Sequence, residues 1–376
     1  MSNASSKHRS ARIDALKFFA IVLVVLSHVG NLPSYGHAIG QVVYVIRTIN
    51  MPLFMLLAGY VLFGREGDDP LRFVGRKFMA LMVPYFAWIS IGLLRGHATL
   101  PEWLREFAAA ALNPHESSRK WFLYVLFVFY ILFVLVRLVN KRDVALILAA
   151  AGTVMLTFMP GADYLGRLNV QWLFTFFVAG YLAAKHLTKL PRPTLWTAFV
   201  AFAIYGVLLA IGVLPDAGNG WPPLYITSTG DLFYTHWASF ATPVFVAWKY
   251  ATAFAGIALV VVAYFLVDER WWAWQAAPGR RSLGIYVNQG WLLGLATGSS
   301  ALWAFVGTVI VVYVAYAVTL LMEQTAFTRV LLLGHPIRPN HHAHPHGPDS
   351  TVPQLSTERP GATASLSPPP SEPKET

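Results

Sequence analysis

The chain has 376 residues, 56% of them hydrophobic and only 12% charged, with a mean hydropathy of +0.52 and a formal net charge of +10. Soluble domains run nearer roughly 45–50% apolar and about 25% charged, so a soluble globule is excluded: it has too little interior to hide this much apolar surface. The absence of cysteine excludes disulfides, thiolate metal sites, iron–sulfur clusters and a thiol nucleophile. The positive charge fits basic loops beside a membrane, and no nucleic-acid motif accompanies it.

In chain order, a polar, basic leader, Met1 to Arg12, precedes the first apolar stretch. No small-residue cleavage site follows a short apolar core, so the stretch reads as a retained helix. About 20 apolar residues cross a bilayer, and the sequence predicts ten such spans: 16–34, 41–63, 78–95, 121–139, 144–160, 171–187, 195–214, 243–267, 282–299 and 302–324. With the N-terminus inside, Lys and Arg crowd the inner segments, while the outer loops carry only Arg95, Arg105, Arg119, Lys120 and Arg167. That asymmetry places both termini in the cytoplasm. The expected fold is therefore an all-α polytopic bundle of about ten transmembrane helices. It divides into a cytoplasmic basic leader (1–15), a transmembrane domain (16–330) and a Pro-, Ser- and His-rich tail (331–376) expected to be disordered. The tail histidines His341, His342, His344 and His346 read as part of a solvated low-complexity segment, and no metal site is expected. No internal repeat stands out.

Ionisable groups are expensive inside a bilayer and usually mark function. The first span carries Asp14, Lys17 and His28 among Phe, Ile, Val and Leu. Lys17 and His28 are eleven residues apart, about three turns, and Asp14 lies about 40° off their line, so one stripe holds an acid, a base and a histidine. Histidine suits general acid–base chemistry near neutral pH; it serves equally as an interhelical hydrogen bonder. The second span adds Arg47 and Asn50, with Arg47 at a depth similar to His28. An arginine there holds an anionic group or a developing oxyanion, or snorkels to the surface. Lys249, towards the outer part of the eighth span, reads as a snorkelling residue. Arg72, Arg76 and Lys77, at the inner end of the third span, read either as positive-inside anchors or as a clamp for a phosphorylated donor.

Several short motifs then line up. They are Arg12-Ile13-Asp14-Ala15-Leu16-Lys17, then ten intervening residues and His28; Asn50-Met51-Pro52-Leu53-Phe54 with Ala58-Gly59-Tyr60; Arg76-Lys77 leading to Pro84-Tyr85; Trp121-Phe122-Leu123-Tyr124; Phe177-Val178-Ala179-Gly180-Tyr181; and Ser282-Leu283-Gly284-Ile285-Tyr286. In this order, over about residues 12–324, the chain resembles the acyltransferase 3 family of bacterial membrane acyltransferases. The resemblance implies transfer of an acyl group, usually acetyl from acetyl-CoA, to a hydroxyl of an envelope or lipid-linked glycan, at the bacterial inner membrane and with no tightly bound cofactor. It implies that His28 is the catalytic histidine, with Lys17 its basic partner. Arg72, Arg76 and Lys77 correspond to the donor-contacting basic residues, although Arg72 and Arg76 are spaced one residue wider than the usual pair. Asn50 and Gln289 stand where many relatives have histidine; both keep hydrogen bonding and lose the titratable group.

The expected mechanism follows. Arg72, Arg76 and Lys77 draw the CoA phosphates from the cytoplasm, and the donor arm runs along Asp14 and Lys17. His28 acts as general base towards the acceptor hydroxyl, and Arg47 or Asn50 steadies the oxyanion. Trp103, Trp221 and Tyr225 are candidates for stacking on sugar rings or for the interfacial aromatic belt. The alternative class is a polytopic transporter or flippase for a glycan or small metabolite.

Overall fold

The computed structural model describes residues 10–32, 35, 39–65, 68–95, 99–112, 114, 120–139, 141–159, 164–187, 192–213, 243–298 and 300–335. Among them all regular structure is helical. The helices are α1 (Ala11–Val29), α2 (Gly40–Leu62), α3 (Pro70–Lys77), α4 (Val83–Arg95), α5 (Leu100–Leu112), α6 (Trp121–Val136), α7 (Arg142–Met155), α8 (Arg167–His186), α9 (Leu195–Val213), α10 (Pro243–Leu266), α11 (Ala273–Arg280), α12 (Ser282–Leu292), α13 (Ala301–Met322) and α14 (Ala326–Leu331). A helix lies on each of the ten apolar stretches predicted above. Among the described residues, four segments are long and apolar enough to cross a bilayer: Val42–Leu62, Pro70–Arg95, Val246–Leu266 and Ala301–Met322.

The centre of the bundle is α1, α2 and α8. α1 and α2 are antiparallel neighbours: Asn50 reaches Ser27, and a Cβ on Gly30 would meet Val43. On its other side α1 is lined by α11, where Gly279 lies directly on the Asp14 carbonyl; a Cβ there would come within 1.8 Å of that oxygen. The first turn of α1 exposes backbone N–H groups with no partner of their own. Glu269 supplies one, accepting from Arg12 N at 3.2 Å, where a carboxylate also suits the helix dipole.

The α3–α4 segment is continuous but not regular. Pro84 has no N–H, and in an α-helix its ring would press on the carbonyl four residues back, that of Ala80. A π turn over Phe78–Met82 absorbs this, with Val83 N–H bonding the Phe78 carbonyl instead. The backbone at Ala80 is met by Gly334, whose positive φ of 65° and missing side chain allow the close approach. The Trp88 indole donates to the Leu332 carbonyl (3.1 Å) and Leu333 is buried. The chain therefore packs through residue 335, beyond the boundary at 331 that composition suggests. The tail from 336 onwards, including His341 to His346, lies outside the described residues, as do Trp221 and Tyr225. Trp103 sits in α5, stacked on Phe107 at 4.9 Å.

Candidate functional site

Beside α1 lies a cavity of about 260 Å³. Its walls are mostly apolar: Met51, Phe54, Leu57 and Ala58 from α2, Phe122 and Leu126 from α6, and Leu283 and Tyr286 from α12. Three cationic side chains join that lining: Lys17 from α1, Lys77 from α3 and Arg280 from α11. A cavity with an apolar body and a cationic margin suits a ligand with an anionic head and a greasy arm.

Each cation is positioned by a specific contact. Asp14 is buried, its side chain 2% exposed, and its carboxylate is shared. Oδ1 lies 3.4 Å from Lys17 Nζ, and Oδ2 lies 4.0 Å from Arg280 Nη1. One buried acid thus keeps two cations beside one cavity, and the close seat of Gly279 on Asp14 sets the register that brings Arg280 there. Lys77 Nζ stands 4.0 Å over the Tyr130 ring and 5.4 Å from Phe73, a cation–π seat at the start of the π turn. Ala80 and Leu81 of that turn line the same cavity.

Arg72 and Arg76, expected beside Lys77, lie elsewhere. Both are exposed; Arg76 pairs with Asp68, the Arg72 backbone N–H takes the Asp69 cap at 2.8 Å, and neither lines the cavity. Successive helical residues are turned by about 100°, so adjacent basic residues cannot share one face.

Asn50 is buried and joins the two central helices. Its Nδ2 donates to Ser27 Oγ (3.3 Å), its Oδ1 accepts from Met51 N (2.7 Å), and Ser27 Oγ donates to the Val24 carbonyl (2.8 Å). Ser27 precedes His28 in sequence, so the Asn50 amide fixes the turn of α1 that carries His28. His28 and Arg47 are half-buried. Met51, next to Asn50, lines the cavity, whereas His28, Arg47 and Asn50 do not. Lys17 and His28 are separated by eleven residues, about 16 Å along the helix. Gln289 is also buried, and its Oε1 has no hydrogen-bond partner. Lys249 departs from the snorkelling expectation: it is 0% exposed, with its Nζ 4.2 Å over the Trp172 ring. Snorkelling requires a stem lying against lipid, whereas this one is enclosed by helices.

Arg280 was not singled out as a site residue by sequence, because it falls in a run of basic residues that the charge asymmetry already explains. Tyr286 and Leu283 belonged to a recognised motif without an assigned role. Among the described residues no group of three His, Asp or Glu gathers in metal-binding geometry.

The arrangement is that of a helical protein with a largely apolar, cation-edged cavity set among its helices. The acyltransferase-domain family model matches residues 10–323, and the chain belongs to that family. Among relatives, the nodulation protein NolL of Sinorhizobium fredii (strain NBRC 101917 / NGR234) is 25% identical over 197 residues, covering 50% of this chain and 52% of that protein. The nodulation protein NolL of Mesorhizobium japonicum (strain LMG 29417 / CECT 9101 / MAFF 303099) is 24% identical over 190 residues, 48% of this chain and 50% of that protein. The chain thus spans about half the length of these curated relatives.

Proposed function

We propose that the protein is an integral membrane O-acyltransferase of the bacterial inner membrane, moving an acyl group, acetyl in the simplest case, from acyl-CoA to a hydroxyl of an envelope or lipid-linked glycan. In this reading the chain crosses the membrane about ten times with both termini in the cytoplasm. A basic leader (1–15) precedes the catalytic transmembrane domain, whose packing extends past residue 330 to residue 335, and a tail follows it.

The observation that carries the reading is the cavity edged by Lys17, Lys77 and Arg280. An acyl-CoA matches it in two halves: a polyanionic phosphate head for the cations and a long, weakly polar thioester arm for the apolar walls. Arg72 and Arg76, exposed nearby on α3, add attraction at longer range. The arm points from Lys17 past Met51 towards the turn carrying His28.

There His28 takes the proton of the acceptor hydroxyl as its oxygen attacks the thioester carbonyl. Charge gathers on the carbonyl oxygen, where Arg47 or the Asn50 amide steadies it. The carbon–sulfur bond then breaks, the acyl ester remains on the acceptor, and the CoA sulfur leaves and recovers the proton from the imidazolium. Asp14 acts through Lys17 and Arg280, holding both beside the donor.

The test uses membranes from cells expressing the wild type or His28→Ala, supplied with radiolabelled acetyl-CoA. Label is expected to enter envelope glycan only with the wild type, both proteins being equally inserted. Equal labelling by both, or by neither, overturns the reading.

A further inference from the structure

A second cavity, of about 360 Å³, lies between α4, α12 and α13. α12 divides it from the cation-edged cavity. Ser282, Leu283 and Tyr286 line the first, and Asn288, Trp291 and Leu292 the second; at about 100° per residue these two sets fall on opposite faces of the helix. From α4 come Trp88 and Arg95, seven residues and about 10 Å apart along one face. Trp291 stands between them, its ring 5.9 Å from that of Trp88 and 4.2 Å under the Arg95 guanidinium. Trp88 and Asn288 are buried, whereas Arg95 and Trp291 are exposed, so the cavity opens at the arginine. The donors at its closed end are used within the protein. The Trp88 indole donates to the Leu332 carbonyl at 3.1 Å, and Asn288 Nδ2 donates to Thr319 Oγ1, also at 3.1 Å. What is left is an apolar slot in which Arg95 is the one charged residue among the described residues of the lining.

We propose that this groove binds one anionic phospholipid, of the phosphatidylglycerol type, with an acyl chain along the slot and the phosphate on Arg95. The inference goes beyond the transfer reaction; it rests on the chain lying in a membrane and not on the donor or acceptor it uses. Length, geometry and charge each support it. The ~10 Å from Trp88 to Arg95 covers most of one leaflet, half of a hydrocarbon core about 30 Å thick, so a chain in the slot brings its headgroup to the arginine. A guanidinium stacked on a ring keeps its N–H donors pointing outward in its own plane, where a phosphate takes two at once. Tryptophan beside it is the ring type that collects at headgroup depth. In the ten-span reading Arg95 is one of five basic residues on the outer side, where such residues are sparse, and a phosphate supplies its counter-charge. The lining selects against zwitterionic lipids: a choline or ethanolamine brings an ammonium that Arg95 repels and for which the lining holds no acid.

The experiment uses the full-length protein in a neutral detergent. Binding of phosphatidylglycerol and of phosphatidylcholine with the same chains is measured by native mass spectrometry. The wild type is expected to hold one phosphatidylglycerol about tenfold more tightly than phosphatidylcholine. Arg95→Gln should abolish that preference, while Arg105→Gln, on an exposed arginine of α5, should keep it. Val318→Trp fills the slot from α13 and should weaken both lipids, a melting curve showing that the variant is folded; if it does not fold, Arg95→Gln on the surface decides alone. Equal binding of the two lipids by the wild type overturns the proposal, as does a preference that survives Arg95→Gln or a folded Val318→Trp that binds as the wild type does. Two competitors identify other occupants. Glycerol phosphate that displaces the lipid at equal concentration marks a site for free phosphate, and polyprenyl phosphate that displaces it at a far lower concentration marks a site for an acceptor's carrier; either result overturns the phospholipid assignment. No readout here needs acyl transfer, so loss of the acyltransferase reading would leave the lipid site standing.

Discussion

Gly59 of α2 and Gly180 of α8 give each other clearance. A Cβ on Gly59 would lie 1.9 Å from the Phe177 carbonyl oxygen, and a Cβ on Gly180 would lie 1.9 Å from that of Leu56. The helices meet backbone to backbone, the approach that small residues permit in apolar surroundings. Because the obstructing atoms are main-chain carbonyls, no side-chain rotation can make room. Gly180→Ala is therefore expected to destabilise the protein by about 2 kcal/mol or more, with Gly59→Ala similar. A thermal melt in detergent checks this; an unshifted midpoint in both variants contradicts the crossing.

The Asn50–Ser27 pair joins α2 to the turn of α1 that carries His28. Removing the Asn50 amide leaves Ser27 and the Met51 N–H without it, and each buried group so stranded costs about 1–3 kcal/mol. Asn50→Ala should lower both stability and transfer. Ser27→Ala should produce part of the same loss, with the double variant less damaged than the sum. A double-mutant cycle on melting is expected to give a coupling of about 0.5–1.5 kcal/mol. Strict additivity would falsify a direct bond between the two side chains.

How much of this was legible in sequence differs by residue. Asp14 and Lys17 were legible because charge in an apolar helix is costly enough to demand a reason. The two Ala-Gly-Tyr motifs were legible as family marks, but not as a pair, since nothing local says that Gly59 and Gly180 touch. Arg280 was hidden by the basic run around it, and only the seating of Gly279 on Asp14 reveals its place. Arg72, Arg76 and Lys77 looked equivalent in a row. Helical rotation separates them, and the facing ring of Tyr130 decides which is turned inward. Lys249 misled for a related reason: periodicity identifies an apolar helix and not whether a given face meets lipid or another helix.

The cavity cations give the sharpest contrast with the linear reading. Lys17→Ala, Lys77→Ala and Arg280→Ala each remove a charge at the cavity, and each should raise KM for acyl-CoA about tenfold, equivalent to about 1.4 kcal/mol, with kcat changing less. Arg72→Ala removes an exposed, screened charge and should shift KM by about twofold or less, an effect that disappears at high salt. Steady-state kinetics at two ionic strengths separates the two groups. An Arg72→Ala defect larger than that of Arg280→Ala would move the proposed donor contact to the exposed face of α3 that carries Arg72.

A last prediction concerns the ion triad that joins α7 to the end of α8. Asp143, in the first turn of α7, accepts from Lys185 Nζ at 2.8 Å and lies 2.9 Å from His186 Nε2. The Lys185 hydrogen bond, and after it the contact with His186, holds the Asp143 carboxyl below its usual value of 3.8. A carboxyl whose folded-state pKa is depressed binds fewer protons in the folded than in the unfolded chain just below that value. Its contribution is therefore fully present above about pH 4 and is lost as the pH falls through the lower folded-state pKa. The side chain is 29% exposed, so the contribution is about 1 kcal/mol or less. Melting curves of the wild type and Asp143→Asn should differ at pH 7, with the wild type higher, and converge as the pH is taken down towards 3. A gap as wide at pH 3 as at pH 7 would show that the triad does not stabilise through the ionised carboxylate.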